Sequence, residues 1–230
     1  MCIRFLGLII LFLHPSGFLF AQPLSEKEQS DKYQSCIASI GEDASAAIIT
    51  AKKWVVEGGG AAAQHCEAMA LYDQERFEEA AALLETIADQ VSRGDGIGVF
   101  ANKNKTLLAA QLRYLAGNAW RSCDKLERAF TIYTTALLSL GDQPVLKYDF
   151  YIERGTVQID REDFQSALDD FSYALELDAE RIEAFLLTLE SLFSLLPCSS
   201  SEPSGSPETE TRGEQRPSCL PTATIEVLQA

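Results

Sequence analysis

The chain has 230 residues, 47% of them hydrophobic, and a formal net charge of −15 at pH 7. This length suits one well-buried domain with tails, and the composition argues against a polytopic membrane protein or a wholly disordered chain. It also argues against a nucleic-acid partner, because phosphate backbones attract clusters of Lys and Arg, and this chain has none. The acidic charge opposes binding to anionic lipid and favours neutral or basic partners.

Residues 1–21 predict an export signal peptide. Arg4 provides a positive charge before an apolar run over 5–13, and Ala21 supplies a small residue at the expected cleavage point. We therefore expect a periplasmic or secreted protein that has no stable membrane span after cleavage. The alternative is an uncleaved N-terminal membrane anchor, since the apolar stretch is barely long enough to span a bilayer.

From Ser25 to Leu196 the sequence predicts successive α-helices, because apolar residues recur three and four positions apart and strand alternation is not sustained. Loop signals fall where helix pairs should end, at Gly58–Gly60, Arg93–Gly96 and Gly141–Pro144. The predicted helix pairs span about 25–60, 61–91, 110–143 and 148–181, followed by a capping helix at 182–196. The tail at 197–230 is rich in Ser, Pro, Glu and Thr, and its segment up to Ser218 is expected to be disordered.

Three of these segments share one pattern of small and large residues. In GTVQIDREDFQSALDDFSYALELDAE the pattern runs through Gly155, Phe164, Ala167 and Phe171. The matching positions are Gly117, Leu126, Ala129 and Tyr133 in the preceding segment, and Ala68, Phe77, Ala80 and Leu84 in the one before it. The pattern resembles the tetratricopeptide repeat (TPR), a pair of antiparallel helices about 34 residues long. The resemblance implies an all-α fold, a right-handed superhelical stack of antiparallel helix pairs.

The repeat spacing is irregular. Ala68 to Gly117 exceeds one repeat by about fifteen residues, so 92–112 is expected to hold an insertion or an extended helix. The first unit matches the pattern only weakly.

The resemblance also implies a function, because stacks of this family usually hold peptides in a concave groove lined by the first helix of each unit. We therefore expect a scaffold or adaptor that binds segments of envelope proteins. The groove residues implied are His65, Met69, Tyr72 and Asp73 in one unit, Gln111, Tyr114, Asn118 and Arg121 in the next, and Asp149, Ile152, Thr156 and Asp160 in the last. A clamp for a C-terminal carboxylate is not expected, because Asp149 and Asp160 oppose it.

On the same implied arrangement, Cys36 and Cys66 fall on neighbouring first helices. A disulfide between them is expected in an oxidising compartment, and two buried thiols are the alternative. The other cysteines of the mature chain are Cys123, Cys198 and Cys219, and the odd total leaves at least one thiol unpaired or intermolecular.

The sequence does not predict an enzyme, a cofactor or a metal site. His65 is the single histidine of the mature chain, so no His-based triad or multi-His metal site can form within it. The adjacent Cys66 points about 100° away on a helix and does not face His65. Two other functions stay open. The strongly apolar helix 182–196 is either well buried or a surface for a homodimer with a structural role, and the chain could serve as a non-catalytic subunit of an envelope enzyme.

Overall fold

The computed structural model describes residues 25–96, 98–100 and 103–196. The predicted signal peptide at 1–21 and the tail at 197–230, with Cys198 and Cys219, lie outside the described residues. Every regular element within the described ranges is a helix, which confirms the all-α prediction for that part of the chain. None of these helices is both long enough and apolar enough to cross a bilayer.

The helices form two compact units that divide after Leu112, inside the fifth α-helix. The first unit contains α1 (Glu26–Ser39), α2 (Ala44–Val56), α3 (Gly60–Asp73), α4 (Phe77–Arg93), the 3-10 helix η1 (Gly98–Phe100) and the start of α5 (Lys105–Ser122). The second unit contains the rest of α5, then α6 (Leu126–Ser139), α7 (Pro144–Asp160), α8 (Phe164–Leu177) and α9 (Ile182–Leu195). The stretch 92–112, predicted to hold an insertion or an extended helix, contains η1 and the first turns of α5.

Within the first unit, successive helices pack against each other, and η1 contacts both α1 and α3. Small residues allow this close packing: one core cluster of α2, α3 and α4 is built from Ala47, Ile48, Ala70, Leu71 and Ala80. The helix α1 begins at a capping box in which Ser25 and Glu28 satisfy each other's backbone N–H groups.

A cysteine pair ties α1 to α3. The sulfur atoms of Cys36 and Cys66 are 1.93 Å apart and their Cα atoms 6.2 Å apart, so the predicted pair lies at disulfide distance. Cys36 is the one residue of α1 that is fully buried. The covalent bond is therefore a large part of what holds α1 in place, together with polar contacts such as the 3.1 Å ion pair between Lys32 and Glu57.

One core cluster of the second unit lies between α7, α8 and α9 and consists of Tyr148, Ile152, Ala167, Phe171, Ala174 and Ala184. Two glycines allow neighbouring helices to approach closely. A Cβ atom added at Gly117 would collide with the ring of Tyr133, and one added at Gly155 would collide with the ring of Phe171. The large residue of each helix pair thus occupies the space that the small residue leaves open.

Three helix pairs share one turn. The connections α3–α4, α5–α6 and α7–α8 each contain a non-glycine residue in the left-handed region, with φ of 58° at Glu75, 58° at Asp124 and 61° at Glu162. Each of these residues follows the small residue of its pair by the same number of positions. The next N–H donates to the carbonyl five residues earlier, in the pairs Arg76–Leu71, Lys125–Trp120 and Asp163–Gln158. These bonds end the first helix as in a Schellman motif and fold the second helix back against it.

A half-buried ion pair joins three helices of the second unit. Nε and Nη2 of Arg154 on α7 donate to the carboxylate of Asp170 on α8, at 2.8 and 2.6 Å, and Nη1 donates to the Thr134 hydroxyl on α6 at 3.2 Å. The same guanidinium lies 5.6 Å from the ring centroid of Phe130 on α6. This bidentate contact restricts how α8 can rotate against α7.

Candidate binding site

Two side-chain pairs hold α5 against α7 in the second unit. The Tyr114 hydroxyl donates a 2.6 Å hydrogen bond to Glu153, and Nε of Arg121 lies 2.5 Å from a carboxylate oxygen of Asp160. The partners are 39 residues apart in the chain in both pairs. Because the second pair lies two turns further along both helices, α5 and α7 run parallel with one constant register.

The environment of Tyr114 keeps its hydroxyl protonated. Its ring packs edge to face on Phe150, with ring centroids 5.7 Å apart. Burial, and then the hydrogen bond to the Glu153 carboxylate, raise the pKa of Tyr114 well above its ordinary value. Nearby, the Tyr133 hydroxyl donates a 2.5 Å hydrogen bond to Asn118. Tyr114 and Asn118, both predicted to line a groove, are therefore bonded within the protein.

The start of α9 is fixed against α7 by polar and aromatic contacts. Arg181 forms a 2.8 Å ion pair with Asp149, and its guanidinium lies 3.7 Å from the ring centroid of Tyr148. The N–H of Ala184 donates a 3.3 Å hydrogen bond to the Tyr148 hydroxyl. Asp149, another predicted groove residue, is thus used to position α9.

A cleft of about 510 Å³ opens along α5, α7 and α9. This volume is within the range of pockets that bind ligands. Its lining consists of Arg121 from α5, Ile152, Glu153 and Thr156 from α7, and Ile182, Glu183, Leu186 and Leu187 from α9. The wall formed by α9 is apolar and open to solvent, since Ile182 is 69% and Leu186 55% exposed.

The charged groups of the cleft leave it acidic. Glu153 and Glu183 are both in the lining; Glu153 accepts a hydrogen bond from Tyr114, and Glu183 lies 3.6 Å from Arg181. The one guanidinium in the lining, that of Arg121, is paired with Asp160, so carboxylates outnumber guanidinium groups around the cleft. An apolar wall beside carboxylates can bind an apolar side chain and an adjacent cation non-covalently.

Of the eight predicted groove residues on α5 and α7, three line this cleft together with the α9 wall, namely Arg121, Ile152 and Thr156. A fourth, Asp160, is paired with Arg121. Sequence reasoning missed Glu153 and all the α9 residues. It left α9 as either a buried cap or a surface for a second copy, although α9 follows α8 as α7 follows α6 and so comes where another first helix would begin. That position in the repeat order was the signal available.

His65, predicted for the groove, is enclosed by its own chain in the first unit. Its Nδ1 lies 3.0 Å from the Tyr33 hydroxyl on α1, and its ring meets that of Phe100 on η1 edge to face, with centroids 6.4 Å apart. Burial lowers the pKa of His65 to about 4. At neutral pH the imidazole is therefore uncharged and packed against η1.

The other predicted residues of the first unit have different surroundings. Tyr72 packs edge to face on Phe77, with ring centroids 5.1 Å apart, and belongs to the core. Met69 is half-buried and Asp73 is exposed. Gln111 lines a separate cleft of about 460 Å³ beside α1 and η1. These residues therefore do not line one common site in the way that Arg121, Ile152 and Thr156 do.

Among residues 25–96, 98–100 and 103–196, no three His, Cys, Asp or Glu side chains are grouped as metal ligands would be. A scan against protein-family models found no match for this chain, and a search of the curated proteins found none either.

Proposed function

We propose that this protein is an exported scaffold or adaptor that binds a segment of a partner protein in the cleft formed by α5, α7 and α9. The observation that carries the proposal is the position of the exposed α9 residues Ile182 and Leu186, which face the predicted groove residues Arg121, Ile152 and Thr156 across one cleft. An open apolar wall on folded helices is typical of a surface that another chain covers.

The proposal includes helix pairs of TPR type. Three features support this: the common turn at Glu75, Asp124 and Glu162, the close approach at Gly117 and Gly155, and the parallel register of α5 and α7. In a stack of helix pairs, first helices of neighbouring units lie side by side in parallel, so their polar residues pair at a constant sequence offset.

The charge of the cleft indicates the kind of segment it accepts. We expect one or two apolar side chains against Ile182 and Leu186, with a Lys or Arg beside them to pair with Glu153 or Glu183. The net charge of −15 favours the same partners over longer range. Such a segment is an amphipathic helix or an extended peptide with basic residues.

The test begins with selection of binding peptides from a random display library on the purified protein, followed by fluorescence anisotropy with the selected sequences. Leu186→Glu should weaken binding at least tenfold, because it puts a charge on the apolar wall. Leu138→Glu is the matched control: Leu138 is a leucine of the same unit, 84% exposed on α6, and is not part of the cleft lining. Its affinity should stay within twofold.

A second variant tests the electrostatic part. Glu183→Lys should weaken binding of basic peptides and reduce its dependence on salt, since one favourable charge pair is lost. If the selected peptides bind Leu186→Glu and Leu138→Glu equally well, or if no peptide is enriched, the cleft is not the binding site.

We also propose that the protein works in an oxidising compartment outside the cytoplasm. The pair Cys36–Cys66 at disulfide distance supports this, because such bonds are rarely kept in reducing compartments. The intact mass of the native protein tests it. The expected mass lacks residues 1–21 and is two hydrogens below that of the reduced chain, a difference that disappears after reduction. An intact N-terminus, with both thiols open to alkylation before reduction, would contradict the proposal.

A further inference from the structure

The face of α9 that points away from its own unit is apolar. Phe185 is 51%, Leu192 46% and Leu196 53% exposed, and Leu189 between them is partly exposed. The buried positions of α9, Ala184 and Ser191, lie about 120° around the helix from the centre of this exposed set. This exposed set, called here the outer stripe, consists of Phe185, Leu189 and Leu192 on α9 and of Leu196, the residue that caps its C-terminus.

The outer stripe has no charge of its own. The carboxylates of α9, Glu183 and Glu190, lie about 100° or more around the helix from each residue of the stripe, and α9 contains no basic residue. Single exposed apolar side chains are ordinary on protein surfaces, but a contiguous row on one helix face marks a contact surface. The row also differs from the cleft wall, to which Ile182 and Leu186 contribute.

The spacing of the outer stripe identifies a helix as its occupant. Its residues follow each other at intervals of four, three and four positions, which is the apolar seam of two packed helices. This order reads the same in both directions. Two copies of the stripe are therefore complementary when they run antiparallel about a two-fold axis, with Phe185 against Leu196 of the second copy and Leu189 against Leu192 of the second copy.

We propose that two copies of this chain associate through their outer stripes, with the two α9 helices antiparallel. The available area is that of a weak, concentration-dependent dimer. Three stripe residues are about half exposed and Leu189 is less so, and at on the order of 200 Å² for a fully exposed large apolar side chain, two stripes bury about 700 Å² of side chain. Flanking residues such as Phe193, 42% exposed, and Leu195, 45% exposed, raise this to about 1,000 Å², which is in the range of weak protein–protein interfaces. The proposal does not depend on peptide binding in the cleft.

The dependence on salt and on protein concentration distinguishes a second copy of the chain from two other possible occupants, a basic partner protein and the chain's own segment 220–230. Each chain carries −15, so two copies repel at long range and added salt should strengthen their association. A basic partner protein would show the opposite salt dependence. The chain's own segment 220–230 would occupy the stripe within one molecule, at any protein concentration.

The experiment measures the mass of the purified full chain by sedimentation velocity, from low to several hundred micromolar, at 50 mM and 500 mM salt. The measured mass should rise from that of a monomer to that of a dimer as the protein concentration increases. In 500 mM salt this transition should occur at a lower protein concentration than in 50 mM salt. The double variants Leu189→Glu/Leu192→Glu and Leu189→Lys/Leu192→Lys should each be monomeric. Their equimolar mixture should recover the dimer, because each Glu then faces a Lys across the two-fold axis. Circular dichroism verifies that each variant is folded.

Leu138→Glu, a charge at an exposed leucine elsewhere in the unit, should dimerise like the unmodified chain. A monomer throughout the concentration range overturns the proposal. So do double variants that still dimerise, which would put the interface elsewhere, and a mixture that stays monomeric, which would mean that the stripes do not face each other. Peptide binding, measured separately with Leu186→Glu, is unaffected by these outcomes.

Discussion

Breaking the bond between Cys36 and Cys66 should release α1 from the first unit. The bond closes a loop with a sequence separation of 30 residues. For a loop of this size, the chain-entropy model gives about 3.5–4 kcal/mol of stabilisation at 25 °C. Little else compensates for its loss, because Cys36 is the one fully buried residue of α1, and the ion pair between Lys32 and Glu57 joins side chains that are each about two-fifths exposed. An exposed pair of this kind contributes roughly 0–1 kcal/mol.

The perturbation is Cys36→Ala/Cys66→Ala, compared with the unmodified chain with and without a phosphine reductant. Hydrogen exchange with mass spectrometry should show amide protection in 26–39 falling by two orders of magnitude or more, since each 1.4 kcal/mol is a factor of ten. Amides of α8, in the other unit, should be unchanged. Reduction of the unmodified chain should produce the same loss of amide protection in α1, and it leaves both cysteine side chains in place. The reductant should not change amide protection in the double variant.

Equal protection of α1 in the oxidised and reduced chain would refute this reasoning. It would mean that the contacts of Tyr33 with His65 and Phe100, at ring-centroid distances of 5.9 and 5.5 Å, are sufficient to hold the helix.

Three further predictions concern single residues. Gly155→Ala should destabilise the second unit by about 1–3 kcal/mol in urea unfolding, because the added methyl overlaps the Phe171 ring, and Gly155→Ala/Phe171→Leu should recover part of that loss. Glu162→Gly should instead stabilise it by about 0.5–1 kcal/mol, because glycine adopts the left-handed turn without steric cost; an unchanged or lower urea midpoint would contradict the turn assignment. The pKa of His65 lies near 4, below its ordinary 6.5, so the unfolded chain binds the proton first. Stability should therefore be full above pH 6.5 and fall as the pH drops toward 4, and His65→Gln should flatten this slope between pH 6.5 and 4.5.

Much of the local structure could be predicted from the sequence. Apolar spacing indicated the helices and the loops between them, because a helix that buries one face must place apolar residues three and four apart. The repeat pattern identified Gly117 and Gly155 as its small residues, and the rings of Tyr133 and Phe171, large residues of the same pattern, occupy the space beside them. The pairing of Cys36 with Cys66 followed from their places on first helices implied to be neighbours.

The sequence named only some of the residues around the cleft. Arg121, Ile152 and Thr156 were named as groove residues and line the cleft, but its apolar wall comes from α9, which pattern alone could not distinguish from a buried cap. A run of Leu and Phe has the same periodicity whether it is buried or exposed. Only the packing of Ala184 and Ser191 against the unit leaves Phe185 and Leu192 outside.

His65 illustrates the other limit. Its place on a helix could be predicted. The packing of Phe100 against its imidazole ring could not, because Phe100 belongs to an irregular stretch with no repeat pattern. Contacts such as Tyr114 with Glu153 likewise depend on the register between helices far apart in the chain.

The sequence by itself determined the helices, their turns and the small residues that let them pack, since these depend on neighbours within a few positions. Only the tertiary structure decided which polar residues pair with each other and which apolar face stays open, because both depend on how separate helices align in space.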